Sequence, residues 1–355
     1  MPVYNAERYL KQSIESILDQ SFRDFEFIIV SEPGTNIEST TVIRSYHDPR
    51  IRHIRNTRRL GYPGSLNVGI KEARGEYVAL QDADDISSRV RLERQVNFLD
   101  NHPRVGVVGS WFEVIDEKGK AISQERPPIE SAMIKWRLLF RCPIANPSAM
   151  VRHTVYDELK GYDVQFPVAS DYEFWTRASQ VTEFRNLADT LLRYRTHGAS
   201  LSHANEQAVY QATLEISKKA IANVLGKRVP AKLLGALARP SSTVSSRDYL
   251  DATGMFHDLC LQYASQIVVS PTERSLILRD GVRTLFAHAI HCMKKNAIFS
   301  LLIGSIAVRL ALEGKALVTP LRIIHVGSGQ HSDAKGAFQS MESVSPDDAK
   351  NTSAA

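Results

Sequence analysis

Apolar runs of strand length alternate with amphipathic helical stretches over the first 80 or so residues, which predicts an α/β fold with a parallel, helix-covered sheet. A second observation marks where such a sheet carries its chemistry. The run Tyr77-Val78-Ala79-Leu80 ends abruptly in Gln81-Asp82-Ala83-Asp84-Asp85, three carboxylates within four residues, and α/β sheets bind ligands at the carboxyl ends of their strands. The third observation bounds the fold: from about Asn205 onward, helical periodicity continues without a strand of note.

In order along the chain, Leu10, Ile14, Ile17 and Leu18 recur at helical spacing just after Met1-Pro2-Val3-Tyr4-Asn5. Phe25 to Val30 is apolar and β-branched and stops at a Pro33-Gly34 turn. Residues 37–46 read as a helix, Arg50 to Asn56 as a strand, Gly61-Tyr62-Pro63-Gly64 as a loop and Ser65 to Ala73 as a helix, before the strand that leads to Asp82. Beyond the carboxylates a helix is expected over 87–101, a strand over Val105 to Ile115, a helix over 129–141 and extended chain over 145–152. A helix beginning near Ser170 and a short strand, Leu191 to Arg195, complete this part. Residues 206–226, 230–237, 246–268 and 272–295 carry helical periodicity, whereas 328–355 are rich in Ser, Asp, Lys and Ala and predict disorder.

Composition narrows the function only slightly. The chain is 43% hydrophobic and 23% charged with a net charge of +5, which favours anionic partners without choosing among them. Cys142, Cys260 and Cys292 have no paired spacing, so neither a disulfide framework nor a zinc site is expected. Ala297 to Val308 is apolar but too short for a membrane span. Flanked by Lys294, Lys295 and Arg309, it suggests peripheral contact with an anionic membrane, placing the protein in the cytoplasm or at the inner face of the cytoplasmic membrane. The acidic run speaks more clearly. Carboxylates this close resist ionising together unless a cation compensates them, and Mg²⁺ or Mn²⁺, which take oxygen ligands and are commonly shared with substrate phosphates, suit that task. The competing reading is a solvated acidic turn that caps the next helix.

Five segments together resemble a known family. Pro2-Val3-Tyr4-Asn5, the turn after the second strand, Leu66-Asn67-Val68-Gly69-Ile70, Asp82-Ala83-Asp84-Asp85 and Ser170-Asp171-Tyr172-Glu173-Phe174-Trp175 are similar in order and spacing to family 2 glycosyltransferases. These are inverting enzymes with the GT-A fold, a Rossmann-like fold that takes nucleotide-diphosphate sugars, and the resemblance spans about residues 1–203. It implies a GT-A domain there, a C-terminal helical extension over 205–326 and a tail over 328–355. It implies that Pro2, Tyr4 and Glu7 lie along the base and ribose, that Glu32 accepts a hydrogen bond from either, and that Asn67 reaches the ribose or diphosphate. Ser31-Glu32-Pro33-Gly34 departs from the family's usual Asp-Asp-Gly-Ser type sequence, which puts base selectivity in question. Asp82 would touch ribose and metal and Asp84 the metal, with His197 a third ligand and Arg195 on the diphosphate. Asp85 is expected to cap the following helix, and Asp171 is implied as the catalytic base.

The resemblance further implies non-processive transfer to a hydroxyl of a saccharide or lipid-linked acceptor in cell-surface polysaccharide or glycolipid synthesis, with no role for nucleic acid. A nucleotidyltransferase and an inactive glycosyltransferase-like scaffold are the alternative readings. Finally, Met1 stands where the family's first strand ends, which predicts that a few native residues precede it.

Overall fold

A computed structural model describes residues 1–198, 200, 204–238, 245–266, 270–293 and 297–313. It is a mixed α/β fold with a parallel sheet, followed by helices. The expected tail over 328–355 and the flanking Lys294 and Lys295 lie outside the described residues.

The first layer contains β1 (Pro2–Val3), α1 (Glu7–Leu18), β2 (Phe27–Ser31), α2 (Ile37–Arg44) and β3 (Ile51–Arg55). The strands pair in parallel in the order β1-β2-β3, with Val3 opposite Ser31 and Val30 opposite Ile54. All five residues of β2 are buried, as a central parallel strand requires. Leu10, Ile14 and Ile17 of α1 join Phe27 and Ile29 in one core, which is why their helical spacing could be read from the sequence.

α3 (Gly61–Glu72) begins four residues before the expected Ser65, because Pro63 falls in its first turn, where a missing N–H costs nothing and φ is already helical. β4 (Tyr77–Ala79) does not extend the parallel sheet, contrary to expectation. It pairs antiparallel with β8 (Met150–Arg152), with Val78 opposite Val151. Apolar periodicity marks a strand but carries no information about its partner. The second sheet is mixed: β4-β8-β6-β9-β5, with β5 (Ile86–Ser87), β6 (Val105–Ile115) and β9 (Glu183–Arg195), and β7 (Ala121–Glu125) pairs with β6 outside that path. β9 is far longer than the five residues expected, because its first half alternates charge with apolar side chains and only Leu191-Leu192 stand out.

Around this sheet lie α4 (Arg91–Asn101), α5 (Ser131–Arg137), α6 (His153–Leu159) and α7 (Ser170–Ala178). Then follow α8 (Glu206–Leu225), α9 (Ala231–Ala238), α10 (Ser246–Gln266), α11 (Pro271–Met293) and α12 (Ala297–Glu313), with no strand among the described residues of this part. These helices share a buried core with Trp136 and Leu139 from beside α5, while Ile216 of α8 belongs to the core that holds Tyr172, Phe174 and Trp175. α12 buries Ile303, Ala307 and Leu310 and exposes Leu301, Leu302 and Val308. No helix among the described residues is long and apolar enough to cross a membrane.

Candidate active site

The acidic loop follows β4 and is held from beneath. Gln81 is buried and its amide donates to the Asp85 carbonyl at 2.9 Å, the Asp82 carbonyl at 3.2 Å and Ser13 Oγ at 3.0 Å. Below it lies Arg91, wholly buried at the start of α4. Its guanidinium donates to Gln81 Oε1 at 3.1 Å, Ser87 Oγ at 2.9 Å, the Leu80 and Ala149 carbonyls at 2.7 and 3.1 Å, and Gln95 Oε1 at 3.1 Å. All these acceptors are neutral. An unpaired buried cation is costly, and burial pulls the Arg91 pKa down to about 10, but the charges of Asp85 and Asp82 act against this shift. Arg91 therefore serves as a counter-charge under the loop. Sequence reading missed it, although Arg91, Gln95 and Leu99 repeat every four residues and are all buried, and an arginine on the inner stripe of a helix signals such a network.

The three carboxylates have different surroundings. Asp82 accepts a 2.7 Å hydrogen bond from the Tyr62 hydroxyl, which in turn accepts one from Asn146 Nδ2 at 2.9 Å. Burial, then the neighbouring Asp84 charge, push the Asp82 pKa up to about 7; Tyr62 and the chain's amino terminus oppose this, and Asp171 adds to it. Asp84 Oδ2 lies 2.9 Å from His197 Nε2. Asp85 is 1% exposed: one oxygen accepts the Arg195 backbone N–H at 2.7 Å, and the other is buried with no hydrogen-bond partner among the described residues. Burial and the charges of Asp84 and Asp82 push its pKa well up. The expectation that Asp85 caps the next helix fails, since α4 starts at Arg91 with Val90 before it and no side-chain cap.

Asp171 lies in the first turn of α7, and its charge is felt at Asp82 and Tyr62. Burial raises its pKa, while the polar backbone of Tyr172 and of Asp171 itself acts against this shift. The residue keeps part of its surface open. Ala169, immediately before the helix, adopts φ 55°, a left-handed conformation that is unfavourable for a residue with a Cβ and is found where surrounding structure imposes it.

Several residues expected at the substrate are instead engaged with the protein. Glu32 accepts from Asn56 Nδ2 at 3.0 Å, from the Leu60 backbone N–H at 2.9 Å and from Ser65 Oγ. Asn67 is held by Tyr162: Nδ2 donates to the Tyr162 carbonyl and Oδ1 accepts the Tyr162 N–H, both at 2.8 Å. The second N–H and the second lone pair of this amide are what it has left for a ribose or diphosphate. Gly161 makes the contact feasible: φ is +73° there, and a Cβ would run into the Asn67 amide. Arg195, 2% exposed, donates to the Asp84 carbonyl at 2.8 Å, Gln12 Oε1 at 2.9 Å and the Asp116 carbonyl at 3.2 Å, with its guanidinium 4.4 Å from the Tyr9 ring centroid. These bonds brace the acidic loop. Glu7 accepts from Asn36 Nδ2 at 2.6 Å and Ser39 Oγ at 3.1 Å, and the Asn36 bond holds its carboxyl below the usual range. Tyr4 is 43% exposed under the Arg59 guanidinium, 4.6 Å from its ring centroid, and Pro2 lies in β1 beside β2.

A metal would find oxygen donors here, but the expected trio is not preassembled. Asp84 pairs with His197, Asp82 is turned to Tyr62, and no group of three His, Cys, Asp or Glu among the described residues could hold a metal ion.

Comparison with known proteins agrees with this fold. The family described as "Glycosyl transferase family 2" matches residues 1–159. An uncharacterized glycosyltransferase of Methanocaldococcus jannaschii is 36% identical over 217 residues, covering 59% of this chain and 74% of that protein. The O-antigen biosynthesis glycosyltransferase WbnJ of Escherichia coli is 29% identical, covering 63% of this chain and 91% of that protein. The crystal structure of S. aureus TarS residues 1–349 in complex with UDP-GlcNAc superposes with a TM-score of 0.53 at 14% identity, over 88% of this chain and 90% of that one, a likeness of fold. Strand order, acidic loop and relatives agree: the chain is a GT-A-type α/β protein and belongs to glycosyl transferase family 2.

Proposed function

We propose that the chain is an inverting, non-processive transferase that moves a sugar from a nucleotide-diphosphate sugar to an acceptor hydroxyl. The transferase chemistry lies within residues 1–203, and the helices of 205–326 form an extension. The observation that carries this reading is the placement of Asp171. It is a partly open carboxylate with a raised pKa, at the start of a helix and near enough to Asp82 for its charge to be felt there. In the proposed reaction the Asp171 carboxylate takes the proton of the acceptor hydroxyl, the acceptor oxygen bonds to the anomeric carbon, and the bond from that carbon to the diphosphate oxygen breaks on the opposite face. Asp84 and His197 would hold a divalent cation, with substrate phosphate oxygens completing its shell. That ion would supply charge stabilisation to the departing diphosphate. Asp82 would exchange its Tyr62 bond for the ribose and metal that the resemblance implies.

WbnJ, an O-antigen enzyme, supports cell-surface polysaccharide as the product class, with a saccharide or lipid-linked acceptor. TarS, solved with UDP-GlcNAc, supports a nucleotide-sugar donor. The exposed Leu301, Leu302 and Val308 of α12 would supply the peripheral contact with an anionic membrane. Isothermal titration with UDP- and GDP-sugars, with and without Mn²⁺, tests the donor reading. Metal-dependent binding of at least one is expected; absence of binding to all would favour an inactive scaffold.

A further inference from the structure

A buried hydrogen bond joins α8 to α7. Tyr172 is 2% exposed and Ser217 of α8 is 5% exposed. The Tyr172 hydroxyl donates to the Leu138 carbonyl at 2.9 Å and also lies 2.9 Å from Ser217 Oγ. A phenol has one proton, and the carbonyl takes it, so the serine donates to the tyrosine. At its backbone end Tyr172 directly follows Asp171 in the first turn of α7.

One anchor of the ring, Ser217, belongs to the helices after 205; the other, Leu138, lies in the core that holds Tyr172 itself but stands beside residues that meet those helices. Leu138 closes α5, and its neighbours Trp136 and Leu139 lie in the core shared with α8 to α12. Trp136 Nε1 donates to Asp280 Oδ2 of α11 at 2.7 Å, and Arg137 pairs with the other oxygen of the same carboxylate. At its own start α7 has little to fix it: no side chain caps it, and Ala169 is in a left-handed conformation. Its position therefore depends on what its buried side chains meet.

We infer that Ser217 is a positioning residue for the reaction, holding Asp171 in place through Tyr172, so that the helical extension is part of the frame of the active site. The inference rests on the reading of Asp171 as the base. Loss of the Ser217 bond leaves the Tyr172 hydroxyl with the Leu138 carbonyl alone and lets the first turn of α7, and Asp171 with it, shift. A displaced carboxylate meets a different balance of burial and neighbouring charge, so its titration moves with it. The groups that feel the Asp171 charge are Asp82, Tyr62, Tyr162, Cys142 and Tyr194. None of them is on α8, so a change made at Ser217 reaches the base through position.

The experiment compares Ser217→Ala, Tyr172→Phe and the double variant, with Asp171→Asn as control, measuring kcat, donor KM, the pH profile of kcat and Tm. Expected are a drop in kcat of about fivefold for each single variant, the size of one lost hydrogen bond, with donor KM unchanged. The acid limb of the profile should move, and the double variant should be no worse than Tyr172→Phe. Tyr172→Phe keeps the ring and decides the matter where Ser217→Ala does not fold. If Tm falls while kcat and the acid limb stay as in the unsubstituted protein, the bond is structural only and the inference is overturned with the base reading intact. If Asp171→Asn turns over normally, the base reading itself fails and the inference falls with it.

Discussion

Around Glu32, both carboxylate oxygens meet protein donors: Asn56, Ser65 and the Leu60 N–H. Around Asp82 to Asp85, carboxylates outnumber the side-chain donors that reach them: Tyr62 serves Asp82, His197 serves Asp84, and one oxygen of Asp85 has no hydrogen-bond partner among the described residues. The two regions follow strands of different sheets, β2 and β4, and the sequence predicts both to face substrate. A polar group whose bonding is complete holds a shape, whereas one left in excess negative charge awaits a cation or a donor. On this ground we assign bracing to Glu32, Asn67 and Arg195, and propose Asp84 and Asp171 for the chemistry.

The comparison breaks most visibly at Asp84. Asp84→Ala should lower metal-dependent donor affinity by about 10–100-fold or more, the scale seen when groups that hold or orient a metal are lost, with little change in Tm. A titration showing unchanged affinity in Mn²⁺ would move Asp84 into the bracing class. Glu32→Ala sits on the other side. It should leave the partners of a buried carboxylate unpaired and cost about 1–3 kcal/mol of stability for each, while the surviving folded protein binds donor with nearly normal affinity. Thermal melting and titration on one sample separate the two effects.

A smaller effect sharpens the contrast by pH. Asp82 has a folded pKa near 7, raised above its ordinary value of 3.8. A raised carboxyl contributes stability that is fully present below the unfolded pKa and is lost as pH rises through the folded one. Without metal, Tm should therefore fall between about pH 4 and 7, and Asp82→Asn should flatten that slope while weakening donor binding. Each kcal/mol regained at pH 8 should appear as about 2–4 °C. A slope unchanged by Asp82→Asn would assign it to other groups.

The parts of this molecule that could be read from sequence are those that repeat or cluster. Leu10, Ile14 and Ile17 announced α1, and Asp82, Asp84 and Asp85 announced the loop. Strand partners could not be read, because β4 carries nothing that names β8 over β1. Nor could the fate of Asn67 and Arg195, since an amide or guanidinium looks the same whether it meets a ligand or a backbone carbonyl 95 residues away, as Asn67 meets that of Tyr162. Tyr62 was hidden by reading Gly61 to Gly64 as a loop, when it opens α3 and points its hydroxyl at Asp82. The bond between Ser217 and Tyr172 joins positions 45 apart and has no local signature.

The division between a loop that binds and a carboxylate that takes the proton is tested most directly by Asp171→Asn, followed as nucleoside diphosphate release at saturating donor with Mn²⁺. Turnover should fall by about 10²–10⁴-fold, the range for loss of a general base, while donor affinity stays within about twofold, as expected for an interaction made only in the transition state. Near-normal turnover, or a loss explained wholly by weaker donor binding, would contradict the assignment.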